Sequence, residues 1–134
     1  MISHHDALIY TMVMVSASDR DMTDPELRKI GEITSGLPVF HGYDRELLPT
    51  TAAACAELLD ADDGMQAALA EIEAALPAKL RETAYALACD VAAADGRVHR
   101  EELRMLELLR DRLAIDRLVA TAIERAARAR FATG

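Results

Sequence analysis

The sequence predicts an all-α fold, a compact bundle of about seven helices, and three observations carry that prediction. Just over half of the 134 residues are apolar, yet only two Phe, three Tyr and no Trp are present. Ala and Leu, both strong helix formers, dominate the apolar set, whereas the β-branched and aromatic residues that favour strands are sparse. Finally, apolar residues recur at three- and four-residue spacing between clusters of Gly, Pro and Asp.

The first helix is expected from about His4 to Ser18, with Ile9, Met12, Val13 and Ser16 at helical spacing. "SDRDMTD" ends it. A second helix starts between Thr23 and Pro25, where Thr23 and Glu26 form a capping-box pattern and Pro25 suits a first turn. Leu27, Ile30 and Ile33 or Thr34 carry its stripe, and Gly36, Pro38 and Gly42 break it. A third helix spans Arg45 to Leu59 behind Asp44 as N-cap, and a fourth spans Gly64 to Leu76. The fifth runs from Pro77 to Ala94 with Leu80, Ala84, Leu87 and Val91 inward, and ends at Asp95-Gly96. Arg100 to Leu113 forms the sixth, with Leu103, Leu106 and Leu109 or Leu113 expected inside. The seventh starts at Asp116, with Leu118, Val119, Ala122 and Ile123 as its inward set.

The chain also repeats itself. Aligning Asp19 with Asp95, an offset of 76, makes six of the fourteen positions from 15 to 28 identical, among them Glu26/Glu102 and Leu27/Leu103. "YDRELL" at 43–48 matches "IDRLVA" at 115–120 at an offset of 72. The repeating unit is therefore three helices long, about 5–59 and 77–131, joined by the fourth helix. No Gly/Ser linker separates the halves, so residues 1–134 read as one domain with two pseudo-symmetric halves around one core.

A net charge of −8 argues against general nucleic-acid binding, which needs a basic face. The final 25 residues nevertheless carry +3, including Arg125, Arg128 and Arg130. This basic end suits either a solvated helix terminus or an encounter with an acidic partner, a second copy included. Cys55 and Cys89 sit in Ala-rich helical stretches and read as buried, reduced thiols. "MISHHDALIY" lacks the pattern of a secretory leader, and no apolar run is long enough to span a bilayer, so a cytoplasmic protein is expected. Gly-rich phosphate loop, GxSxG, HExxH and CxxC signatures are all absent from the sequence, and no enzyme activity is expected.

The repeated acidic turn admits two readings. An Asp ending one helix and a Glu opening the next are ordinary hairpin architecture, where a first-turn carboxylate gains roughly 0.3–1 kcal/mol from the helix dipole. Alternatively, the carboxylates hold a hard divalent cation such as Ca²⁺, which wants several oxygen ligands. The first turn offers Asp19, Asp21, Asp24 and Glu26, and the second offers Asp90, Asp95, Glu101 and Glu102 beside His99. An EF-hand register fails, because Asp24 and Ile30 stand where Gly and Glu are required. Asp90 lies among apolar residues, where its charge requires an Arg, a backbone N–H or a metal.

"VAAADGRVHREELRML" and "LAIDRLVATAIERAARAR", with "LIYTMVMVSASDRDMTDPELRKIGEI" in the first half, resemble the TerB-like proteins of the tellurite-resistance group over roughly residues 6–130. The resemblance implies a seven-helix fold of two related halves and a part in tellurite or general stress resistance, alongside membrane-linked or metal-sensing protein partners. It also implies divalent-cation binding through surface acidic residues. Carried onto this sequence, that points to Asp19, Glu26, Asp95 and Glu102, with Asp21 and Asp90 as neighbours. Arg20 in the first turn replaces Gly96 of the second, which favours the second turn. A protein-interaction adaptor with purely structural turns, able to form a homodimer, is the alternative.

Overall fold

The computed structural model describes residues 1–16, 22–94 and 100–134, and among these it contains seven α-helices and no strand. The helices are α1 (His4–Ser16), α2 (Asp24–Thr34), α3 (Leu48–Leu59), α4 (Gly64–Ala75), α5 (Ala78–Ala94), α6 (Arg100–Arg112) and α7 (Arg117–Arg130). Short 3-10 turns at Pro38–Phe40 and Arg45–Leu47 precede α3. The segment from Arg45 expected to open the third helix is thus a 3-10 turn capped by Asp44, whose carboxylate accepts from the Glu46 N–H at 3.0 Å. The α-helix proper starts at Leu48, with Pro49 in its first turn.

Helix α1 explains the architecture. Every residue from Ala7 to Val15 is buried, on all sides of the helix. A helix apolar all round can only be a central one, and α1 packs against α2, α3, α4, α5 and α6. The sequence stripe of Ile9, Met12 and Val13 was therefore too narrow, since Leu8, Met14 and Val15 are equally enclosed. α5 is the second central helix, lying along α1 and covered by α2, α6 and α7. The contacts cross over: α2 follows α1 but also rests on α5, and α6 follows α5 but also rests on α1.

Side chains fasten the outer helices. Arg112 donates from Nε to Glu73 at 2.6 Å and from Nη1 to Gln66 at 3.1 Å, tying α6 to α4. Arg81 reaches the Leu113 carbonyl at 3.4 Å, beyond the end of α6. On the other side, Arg45 donates to the Gly31 carbonyl at 2.6 Å and to the Ser35 hydroxyl at 3.3 Å, drawing the foot of α3 onto α2. Between α3 and α4 the chain turns so tightly that a Cβ on Gly64 would lie 2.1 Å from the Leu58 carbonyl oxygen. Only glycine fits there.

Two sequence expectations about the inward faces are corrected. α6 buries Glu102, Met105 and Leu109, with Leu113 just beyond its end, whereas Leu103 is 51% exposed and Leu106 only half-buried. Its face is centred one position away from the leucine stripe, because a carboxylate occupies the inner register at 102. α7 buries Ala120 and Ala127, while Leu118 is 81% exposed and Ala122 is on the surface. Its main packing partner is α5, so only a narrow strip of small residues is enclosed.

Candidate functional site

The sequence-derived candidates cluster where α1 leads to α2 and α5 leads to α6. Asp19, Asp21 and Asp95, with His99, lie outside the described residues. Glu26, Asp90 and Glu102 are described, and each has a distinct setting.

Glu26 is the N3 residue of a complete capping box. Its Oε1 accepts from the Thr23 N–H at 3.1 Å and from the Thr23 hydroxyl at 2.8 Å, while the Glu26 N–H donates back to Thr23 Oγ1. Oε2 accepts from the Ser16 hydroxyl at 3.1 Å, which ties the end of α1 to the start of α2. Three donors thus occupy most of one carboxylate's acceptor capacity. Thr23→Ala is expected to cost about 1 kcal/mol of unfolding free energy, as lost N-caps commonly do, measured by urea denaturation. No change would show that the box is idle in solution.

Glu102 occupies the matching place in α6, yet it is only 4% exposed. Its repeat-mate Glu26 is half-buried. At the position of Ser16 the second half has Ala92, which offers no hydroxyl. The two acidic corners therefore share a sequence pattern, but the Ser16–Glu26 bond of the first has no counterpart from residue 92 in the second.

Asp90, on α5, is paired with Arg130 near the end of α7 through Oδ1 and Nη2. Its side chain is 16% exposed, so the charge that sequence reasoning found among apolar neighbours has an arginine for company. Arg130 was visible in the sequence only as part of the basic end. Among the described residues no three His, Cys, Asp or Glu side chains converge as a metal-holding group.

Both cysteines are buried and unpaired. Cys55 donates to the Tyr10 carbonyl at 3.8 Å, and burial pushes its pKa from 9.0 to about 12. Burial pushes Cys89 up to about 12 as well, against a weaker opposing effect of Tyr85. At neutral pH both remain thiols, which are poor nucleophiles and poor metal ligands.

A feature that the sequence reading missed lies between α6 and α7. These two helices are not packed closely together, and a cleft of about 170 Å³ opens between them above α5. Tyr85 donates to Glu124 at 2.5 Å and Arg110 stands 3.7 Å from the same carboxylate oxygen, closing one end of the cleft. Burial, and then this bond to a carboxylate, raise the pKa of Tyr85. Asp90 does not line the cleft.

No helix among the described residues is long and apolar enough to cross a membrane. No curated protein and no solved structure matches the chain. The family profile described as Tellurite resistance protein TerB, in contrast, matches residues 5–126, which span α1 to most of α7. With nine-tenths of its length matched, the chain belongs to the TerB family of tellurite resistance proteins.

Proposed function

We propose that this chain is a non-enzymatic, cytoplasmic binding module of tellurite or general stress resistance, and that it takes up a divalent cation, Ca²⁺ or similar, at its acidic corners. Family membership supports the resistance role. The observation that carries the cation reading is Glu102, a carboxylate kept at the first turn of α6 with 4% exposure. It stands seven residues after Asp95 and in the same first helical turn as Arg100 and Glu101. A hard cation gains most from carboxylate oxygens already withdrawn from water. The second corner is favoured over the first, because the first turn carries Arg20 where the second has Gly96, which sets a cation beside the first-turn carboxylates.

The test is a thermal-melt series of metal-free protein with Ca²⁺, Mg²⁺, Mn²⁺ and Zn²⁺. A ligand bound by the folded state alone adds about 2.7 kcal/mol at a concentration a hundredfold above its Kd. At least one ion is expected to raise the melting temperature. Asp95→Asn/Glu102→Gln is expected to lose that rise, and Asp19→Asn/Glu26→Gln to keep most of it. If no ion raises the melt, the corners are hairpin architecture only. The α6–α7 cleft favours the second reading, an adaptor that acts through protein contacts.

A further inference from the structure

The two halves of the chain close differently on their central helices, and the sequence differs at the same places. In the first half, α2 packs on α3, and Ile30 is fully buried beneath them. Gly31 lies at this contact: a Cβ there would meet the Arg45 guanidinium and the Leu48 side chain at 3.6 Å, in ordinary van der Waals contact. At the offset of 76, Glu107 stands in place of Gly31 and Arg110 in place of Thr34. α6 thus carries long polar side chains on the face where α2 has Gly31 and Thr34, and an open cleft lies between α6 and α7. Ala92 and Ala93 of α5 line its floor, Ala127 lies on the α7 wall, and Leu106 is left half-buried. Leu103 stands at the mouth, 51% exposed, where its first-half counterpart Leu27 is half-buried against the core.

The charges at the cleft walls indicate what covers it. Arg110 and Glu124 neutralise each other at the closed end. Glu107 lies one turn earlier on α6 and Arg128 one turn later on α7. A four-residue connection, 113–116, makes α6 and α7 antiparallel neighbours, so Glu107 and Arg128 are level on opposite walls. Neither has an ion-pair partner among the described residues. Such a wall is complementary to itself. A two-fold axis running along the cleft lays α6 of one copy over α7 of the other. It then sets Glu107 against the copy's Arg128, and Arg128 against the copy's Glu107, as an isologous interface requires. An axis across the cleft would instead place like charges together.

We propose that the α6–α7 cleft is the docking surface for a second copy of this chain, with Leu103 of each copy entering the Ala-floored cleft of the other. The reading is independent of any bound cation.

Light scattering across a concentration series tests it, with circular dichroism as the check on folding. The wild type is expected to approach twice the 14.6 kDa chain mass as concentration rises. Leu103→Glu is expected to remain at the single-chain mass with unchanged helicity. Glu107→Arg and Arg128→Glu are each expected to lose the dimer, because each confronts like charges twice. The double variant Glu107→Arg/Arg128→Glu is expected to regain it. A wild type that stays monomeric up to its solubility limit overturns the proposal and leaves the cleft to a different protein. A dimer that survives Leu103→Glu overturns it as well. So does a dimer lost in Leu103→Glu yet indifferent to the charge exchange, since the two copies would then meet in another arrangement.

Discussion

Truncating Leu8 to alanine is expected to lower the unfolding free energy by about 2–5 kcal/mol, the range for large-to-small changes in a packed core. Leu8 is fully buried in the middle helix of the bundle, and α1 touches five of the other six helices. A cavity there has no outer layer that can collapse into it. Against a total stability of about 5–15 kcal/mol for ordinary domains, such a loss is large. The matched control is Leu118→Ala, the same chemical change at a side chain that is 81% exposed. It is expected to stay within about 0.5 kcal/mol, as surface substitutions usually do. Urea denaturation of the two variants measures the contrast. Equal costs would mean that α1 is not the centre of the core, or that α7 does not lie as described.

The second large effect is alkaline. Burial holds both Cys55 and Cys89 protonated up to a pKa of about 12, whereas in the unfolded chain they ionise near 9.0. Above pH 9 the folded state therefore binds more protons than the unfolded one, and stability falls as pH rises. The thiols' contribution is fully present below pH 9 and is lost towards pH 12. Within that window each thiol is expected to remove about 1.4 kcal/mol per pH unit, so the pair removes about 3. Tyr10, Tyr43 and Tyr85, all raised first by burial, push in the same direction. Replacing both cysteines by alanine should flatten the lower part of the decline, from pH 9 to 10. Stability curves at half-unit intervals decide the matter. An unchanged slope in the double variant would place the thiols in contact with water.

The sequence carried the fold further than it carried the site. Helix existence followed from Ala and Leu content and from capping signals. The Thr23–Glu26 box and the Asp116 cap, whose carboxylate accepts from Leu118 and Val119, formed as their residue types require. Registers were less legible in α6 and α7, for a physical reason. Reading leucines as the inward set assumes that polar residues face out, and Glu102 breaks that assumption. The same assumption drew Leu118 inward, although α7 has little to rest on except α5. For the site, residue types were visible but pairings were not. Asp90 announced a need for a partner, and only the fold brought Arg130 across from forty positions away. The cleft coincides with a change between the repeats, Gly31 to Glu107, but only the fold shows that Gly31 lies against Arg45 and Leu48 whereas Glu107 lines an open cleft.

Several surface clusters in this acidic chain could attract a cation without being a site, and Asp60, Asp62 and Asp63 form one, all exposed. The most direct measurement is therefore a titration of ¹⁵N-labelled protein with Mn²⁺, whose unpaired electrons broaden the amide resonances nearest to it. At low Mn²⁺ ratios, loss of signal centred on residues 95–102, and reversed by excess Ca²⁺, is the predicted result. Broadening centred on residues 60–63, or spread evenly over the acidic surface, would contradict a cation site at the α5–α6 corner.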